Sequence, residues 1–199
     1  MMNEGVETAK LYQSLQGRQD LAVATFAGGC FWCMEGPFEE LAGVETAVAG
    51  YAGGEEANPT YEQVSGGETD HREAVQVFYD PKEIDYETLL DTYWLQVDPT
   101  DVGGQFADRG GHYVTAIFYH SAEQKEAAEK SKQKLDKSGR YENPVVTEVL
   151  PFKNFYLAEE HHQDYYKKNY VHYQAYKVGS GRAKHIKENQ RFLQKKGKK

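Results

Sequence analysis

The sequence holds little of what membrane, disulfide-rich and zinc proteins are built from. Among its 199 residues there are only two cysteines. Two cysteines cannot make a disulfide framework, nor alone supply four ligands to a structural zinc ion. The longest apolar run, Leu21–Ala27, is strand length and falls far short of the roughly 18 residues that cross a bilayer. The N-terminus has no basic segment followed by an apolar one, so no secretory signal is expected. No internal repeat and no Pro/Ser/Gly linker divides the chain. A soluble protein of a reducing compartment, the cytoplasm, is expected, with no membrane partner.

What is present suffices for a core: 39% of residues are hydrophobic and 27% charged. The net charge of −8 is unevenly spread. From Arg182 to Lys199 eight basic residues face one acid, Glu188, a net of +7, which leaves −15 on residues 1–181. An acidic body argues against a nucleic-acid partner, which would want a basic face. The sequence divides into a mixed, mostly polar extension outside the core (1–20), a catalytic domain (21–181) and a basic, solvated tail (182–199).

Leu21–Phe26 predicts a strand stopped by Gly28-Gly29, and Cys30 to about Leu41 a helix. Val44–Tyr51 is a second strand. Glu73–Tyr79 alternates as a third, with Val75, Val77 and Tyr79 on one face. Residues 85–97 carry Leu89, Leu90, Tyr93, Trp94 and Val97 at helical spacing. Tyr113–Tyr119 is a fourth strand, followed by a helix capped by Ser121 and ended by Gly139. Val145–Leu150 is a fifth strand and about 155–169 a helix rich in Tyr and His. The order β-α-β-β-α-β from 21 to 119 predicts an α+β two-layer sandwich: a ferredoxin-like core with helices on one face of a mixed sheet, plus C-terminal additions. The long glycine-containing loops 52–72 and 98–112 are candidates for function.

Both cysteines lie in one segment, Gly28-Gly29-Cys30-Phe31-Trp32-Cys33-Met34-Glu35. A thiol at a helix start is favoured as thiolate by the free N–H groups and the positive helix end. Glycines let the backbone come close to a substrate. Cys33, one turn on, can reach Cys30 as a resolving thiol. From spacing alone the pair could equally be two small buried residues or half a metal site, because a lone CxxC has many uses.

The segment Gly29-Cys30-Phe31-Trp32 resembles the signature of the peptide methionine sulfoxide reductase A family. Gly50-Tyr51-Ala52-Gly53-Gly54, Asn58-Pro59-Thr60-Tyr61, His71-Arg72-Glu73-Ala74-Val75, Asp98-Pro99-Thr100 and Gln105-Phe106-Ala107-Asp108-Arg109-Gly110 match further family blocks in the same order. The likeness runs from about Thr25 to Gly181. It implies reduction of the S epimer of methionine sulfoxide, free or in proteins, by a monomer that thioredoxin recycles and that needs no cofactor or metal. It places the nucleophile on Cys30, the acid on Glu73, oxygen-binding hydroxyls on Tyr61 and Tyr113, a supporting carboxylate on Asp108, and the methyl pocket on Phe31 and Trp32. Many members have Gly where this chain has Cys33 and resolve with C-terminal cysteines. Here no cysteine follows Cys33, so the likeness is to a subgroup that resolves within the signature.

These residue types suit the chemistry. A thiolate must attack the sulfoxide sulfur while the oxygen leaves, and oxygen leaves poorly unless protonated and hydrogen-bonded. Cys30 supplies the sulfur and becomes a sulfenic acid, and Cys33 converts that to a disulfide. Glu73 serves as acid if burial raises its pKa, and Arg72, its strand neighbour, should point to the other face. Without the resemblance Glu73 is an ordinary charge, the two tyrosines are anonymous among 15, Asp108 is a turn residue, and Phe31 and Trp32 are core. Glu35 is the rival acid. His71 reads as a structural loop residue, and His161-His162 as no metal pair, since neighbours on a helix diverge by about 100°. The tyrosines at 165, 166, 170, 173 and 176 read as packing. A general CxxC disulfide oxidoreductase and a non-catalytic methionine-binding module are the alternatives.

Overall fold

Alternation in one strand fixes the centre of the molecule. Along Arg72–Tyr79 the even positions and the odd positions must face opposite ways. In the computed structural model, which describes residues 4–196, nearly every residue of this strand is buried, so both faces are covered. The elements in chain order are α1 (Glu4–Gln16), β1 (Ala22–Ala27), α2 (Glu35–Glu39), β2 (Val44–Ala52), α3 (Tyr61–Ser65), β3 (Arg72–Tyr79), α4 (Tyr86–Gln96), β4 (Gly104–Gln105), β5 (Asp108–Arg109), β6 (Ala116–Tyr119), α5 (Ala122–Asp136), β7 (Glu148–Pro151), β8 (Phe155–Leu157), α6 (Tyr165–Lys168), α7 (Tyr170–Gly179) and α8 (Arg182–Lys196). Short 3-10 turns occupy Phe31–Cys33, Gly111–Tyr113 and Glu160–His162.

The main sheet has the order β7-β6-β1-β3-β2-β8. Its inner strands β6-β1-β3-β2 are all antiparallel neighbours, and β7 joins β6 in parallel, making the sheet mixed. The chain path β1-α2-β2-β3-α4-β6 is the ferredoxin-like core expected from the sequence, and the fold is α+β. On one face Phe26, Val75, Val77 and Tyr79 pack with Phe38, Leu89, Leu90, Tyr93 and Trp94 from α2 and α4. Phe26 stacks between Phe38 and Tyr93, each 5.1 Å away.

Five segments differ from expectation. The helix expected from Cys30 to about Leu41 is a 3-10 turn, Phe31–Cys33, followed by the five-residue α2. Residues 4–16 are not an extension outside the core: they form α1, whose Tyr12 and Leu15 bury against Val48 and Phe78 on the second face of the sheet. The Tyr12 hydroxyl donates to Gln76 Oε1 at 2.8 Å. The helices therefore do not all lie on one face. Tyr113 is not in a strand; Gly110 at φ 136 turns the chain, and Tyr113 ends a 3-10 turn before β6. The stretch 155–169 is broken into β8, a 3-10 turn and α6, because the backbone of Phe155–Leu157 completes the edge of β2 and Asp164 sits at φ 54. Residues from 182 are not a solvated tail at their start, since α8 packs on α4 and α7 and its first residue, Arg182, is fully buried. Among the described residues no helix is long and apolar enough to cross a membrane.

The docking of α1 is open to measurement. Leu15→Ala removes a side chain that is 3% exposed and is expected to cost about 2–3 kcal/mol in urea unfolding. A loss below about 0.5 kcal/mol would show that α1 is not part of the cooperative unit.

Candidate active site

The two thiols sit where β1 ends. Gly28 and Gly29 leave the strand, Gly29 at φ +78, and Cys30 precedes the 3-10 turn Phe31–Cys33. A Cβ on Gly29 would lie 2.7 Å from both Arg182 Nη2 and Gln105 Cβ, and one on Gly28 would lie 2.6 Å from Met34 Cε. The glycines thus admit the protein's own side chains behind the thiol segment, where the sequence suggested room for a substrate. Cys30 is 5% exposed, Cys33 is fully buried, and both are free. The Cys33 amide donates to the Cys30 carbonyl at 3.1 Å, which closes the turn.

A three-residue turn offers little helix field, and burial dominates. Burial, then the hydrogen bond to Cys33, pushes the Cys30 thiol well above its usual range. The same hydrogen bond, received from Cys30, pulls Cys33 down to about 7, with the Arg182 charge adding to it. Ionisation is thus favoured at Cys33 over Cys30, the reverse of what a helix-start argument for Cys30 suggests.

Glu73 comes from β3, on the same face as Val75 and Val77, and is 1% exposed. Its Oε2 accepts the Phe31 amide at 3.0 Å, so the carboxyl is held against the residue that follows Cys30. Burial raises its pKa to about 8 against the lowering effect of that hydrogen bond, and it is mostly protonated at neutral pH. Arg72 does face the other way, donating to the Thr115 carbonyl at 3.1 Å and pairing with Glu148.

Two loops bring tyrosines within electrostatic reach of this carboxyl. Tyr61 starts α3, which is anchored by a capping box between Thr60 and Gln63, while its amide donates to Glu159 Oε1 at 2.9 Å. The other Glu159 oxygen accepts the Tyr51 hydroxyl at 2.7 Å, and Tyr51 pairs with Glu73 across β2 and β3. Tyr113 is presented by its 3-10 turn beside β3. Burial first, and then the negative charge of Glu73 and Cys30, raises both phenols, Tyr61 to about 12, so both stay neutral donors.

Phe31 and Trp32 diverge, as the 3-10 turn requires. Phe31 is buried beside Tyr51 and His162, with ring centroids 6.0 and 5.1 Å away. Trp32 is half-buried and stacks on Tyr165 at 3.9 Å, and its indole N–H donates to His162 Nδ1 at 3.1 Å. The His162 ring also lies 4.4 Å from that of Tyr61. Burial lowers its pKa to about 4, so the neutral ring carries its proton on Nε2.

Some of these residues escape sequence reasoning. Tyr176 on α7 donates to Asp108 Oδ2 and faces the Cys30 thiol, so two of the C-terminal tyrosines, 165 and 176, belong to the site and not to packing over the sheet. Glu35, the rival acid, accepts the Asp164 amide at 3.2 Å, and its charged neighbours are Asp164, Glu39 and Lys167. His71 is a loop brace, accepting from the Gly54 amide at 3.2 Å and donating to the Glu56 carbonyl at 2.8 Å. Among the described residues no cluster of His, Cys, Asp and Glu could hold a metal.

Paired free thiols beside a protonated carboxyl and neutral phenols are the equipment of a thiol-dependent oxidoreductase that must protonate what it reduces. The model of one family, described as peptide methionine sulfoxide reductase, matches residues 22–194, and the chain belongs to that family. It is similar to the peptide methionine sulfoxide reductase MsrA of Listeria monocytogenes, 55% identical over 172 residues, covering 86% of this chain and 97% of that one. The reduced form of Mxr1 from Saccharomyces cerevisiae has a like structure, with TM-score 0.71 and 35% identity over 75% of this chain and 86% of that one. Mxr1 in complex with Trx2 matches at TM-score 0.53 and 27% identity, over 71% and 83%. The chain is an oxidoreductase acting on methionine sulfoxide.

Proposed function

We propose that the chain reduces the S epimer of methionine sulfoxide, free or in proteins, through Cys30, with Glu73 as acid and Cys33 as resolving thiol. The observation that carries this reading is the Glu73 carboxyl, buried, protonated at neutral pH and fixed to the Phe31 amide next to Cys30. The sulfoxide methyl group would enter between Phe31 and Trp32. Its oxygen would meet Glu73, Tyr61 and Tyr113.

The electrons balance through two half-reactions. Cys30 sulfur bonds to the sulfoxide sulfur; its own proton passes to Cys33, Glu73 protonates the oxygen, and the resulting hydroxyl passes from the methionine sulfur to the Cys30 sulfur as the bond between the two sulfurs breaks. Methionine leaves and Cys30 is left as sulfenic acid, oxidised by two electrons. Cys33 sulfur then attacks the sulfenic sulfur and expels water, giving the Cys30–Cys33 disulfide. A dithiol reduces that disulfide by exchange, and becomes a disulfide itself. Thioredoxin is the dithiol we propose, supported by the relative that was captured with Trx2. No organic cofactor or metal enters these steps, and Asp108 holds the Tyr176 hydroxyl against Cys30. We further propose a monomeric enzyme of the cytoplasm.

The stereochemistry tests this site. With sulfur on Cys30 and methyl between the aromatics, the wrong epimer points its oxygen away from Glu73, Tyr61 and Tyr113. Loss of those donors should slow reduction of the R epimer about 10²-fold or more. Dithiothreitol-dependent assays on each epimer, with insulin disulfide as a further substrate, check it. Comparable rates on both epimers would overturn the site, and faster reduction of insulin would favour the general disulfide oxidoreductase.

A further inference from the structure

The short helix α6 is gripped by α2. The Asp164 amide at its start donates to Glu35 Oε1 at 3.2 Å. The Tyr166 hydroxyl donates to Glu39 Oε2 at 2.6 Å, and the Lys167 ammonium pairs with the same oxygen at 2.5 Å. Glu39 is itself tied to β2, where its Oε1 accepts the Ala47 amide at 3.3 Å. At about 100° per residue, 164, 166 and 167 fall on one side of the α6 turn and 165 on the other. Tyr165 accordingly turns to Trp32, with ring centroids 3.9 Å apart and planes 9° apart. The two helices are close enough that a Cβ on Gly36 would lie 3.1 Å from the Tyr166 ring.

Glu35 is the unusual member of this clamp. It is 1% exposed, and its Oε2 has no hydrogen-bond partner among the described residues. A buried carboxyl is costly to keep. This one accepts a single backbone amide, that of Asp164, which sits at φ 54 and ψ 29. A residue with a side chain adopts that left-handed conformation at a cost, and keeps it where its surroundings enforce it. Glu35 holds the amide, and Lys167 holds the side chain at 2.8 Å. We propose that Glu35 is a positioning residue that sets the width of the methyl slot: by keeping Asp164 in its left-handed turn it lays Tyr165 flat on Trp32. The indole, pinned by that stacking and by its N–H bond to His162, is then a fixed wall. The inference rests on the reading that the substrate's methyl group enters between Phe31 and Trp32.

A fixed wall discriminates by width. A slot that cannot widen takes the methyl group of methionine sulfoxide and resists the ethyl group of ethionine sulfoxide, and one methylene in an apolar pocket is worth about 10–200-fold. A wall that gives binds the methyl group less well and resists the ethyl group less. Cys30 and Glu73 stand on other elements, the end of β1 and the start of β3, so the chemical step is little affected. Glu35 acts on the substrate only through Asp164, Tyr165 and Trp32. Its part is played by an oxygen that accepts, not by a proton that is given, and glutamine can supply that oxygen.

Dithiothreitol-dependent kinetics on the S epimers of methionine and ethionine sulfoxide test this in the full chain. Glu35→Leu should raise KM for methionine sulfoxide about ten-fold with kcat little changed, and lower the preference for methyl over ethyl in kcat/KM. Glu35→Gln should match the parent in all three. A second pair leaves Glu35 in place: Asp164→Val, which resists a left-handed φ, should behave as Glu35→Leu, and Asp164→Gly, which accepts it, as the parent. Acrylamide quenching reads the wall without substrate, because Trp94, the other tryptophan, is 3% exposed. Quenching of Trp32 should rise in Glu35→Leu and Asp164→Val alone. A folded Glu35→Leu with parental KM and selectivity overturns the proposal, as does a Glu35→Gln that loses kcat. If Glu35→Leu does not fold, equal behaviour of the valine and glycine variants overturns it. Raised quenching with unchanged KM and selectivity overturns the reading of the methyl slot, while unchanged quenching overturns the clamp itself.

Discussion

Cys30→Ser should release no methionine from its sulfoxide, even in a single turnover at stoichiometric enzyme. The serine hydroxyl is a far weaker nucleophile, and nothing else near Glu73 can take over. Cys33 is buried deeper than Cys30 and lies one turn further along. Cys33→Ser should behave differently. It should release one methionine per enzyme and then turn over poorly with thioredoxin, because the sulfenic acid on Cys30 has no internal thiol to meet. Mass spectrometry of the spent Cys33→Ser enzyme should find the sulfenic acid, trapped by a dimedone-type reagent. Full thioredoxin-dependent turnover by Cys33→Ser would remove it from the resolving role, and a methionine burst from Cys30→Ser would remove the nucleophile assignment. The contrast is sharp, since one variant loses the first half-reaction and the other only the second.

The fold was legible where local pattern and burial agree. Glu73–Tyr79 alternates because one face meets α4 and the other meets α1 and the small residues of the neighbouring strands, and 85–97 has a helical period because one side of α4 lies on the sheet. Segments whose structure is settled by distant partners were not legible. Phe155–Leu157 is extended because β2 has a free edge, and no periodicity in three residues reports that. Among the described side chains of the helix Glu4–Gln16 only Tyr12 and Leu15 are buried, too few to make a visible stripe. Asp164 adopts a left-handed φ that its sequence context does not demand.

The site divides in the same way. Cys30 and Cys33 were visible as a contiguous motif, whereas Phe31 and Trp32 between them read as core without the resemblance. Glu73, Tyr61, Tyr113 and Asp108 were nameable only through resemblance, because each is a common residue type with nothing local to mark it. Tyr176, His162 and Arg182 were missed. The Trp32–His162 hydrogen bond joins residues 130 apart and the Gly28–Arg182 bond residues 154 apart. A residue whose role is set across such separations carries no local signal. The one available hint was an arginine inside Gly179-Ser180-Gly181-Arg182, where two glycines free the chain just before a cation.

Glu73→Gln should slow methionine release by roughly 10²–10⁴-fold, the range for loss of a general acid. The amide oxygen of glutamine can still accept the Phe31 N–H, so the fold and the turn should survive. What is lost is the transferable proton. The measurement is best made in the Cys33→Ser background, where a single turnover isolates the reductase step from resolution. The pH dependence gives the sign. The carboxyl acts in its protonated form, and burial sets its pKa at about 8, so the rate that depends on it should hold up to neutral pH and fall as pH rises through about 8. Glu73→Gln should lack that falling limb. Stability should follow the same titration: the unfolded carboxyl loses its proton near pH 4.3 while the folded one keeps it to about 8. The native state therefore binds more protons in that window, and stability must decline as pH rises across it. The contribution is complete below about pH 4 and gone above about pH 8, so urea midpoints at pH 5 and pH 8.5 should draw closer together in the glutamine variant than in the parent. A Glu73→Gln rate within a few-fold of the parent would move the acid role to solvent, since the charged groups that act on Glu35 are Asp164, Glu39 and Lys167 and not the thiols.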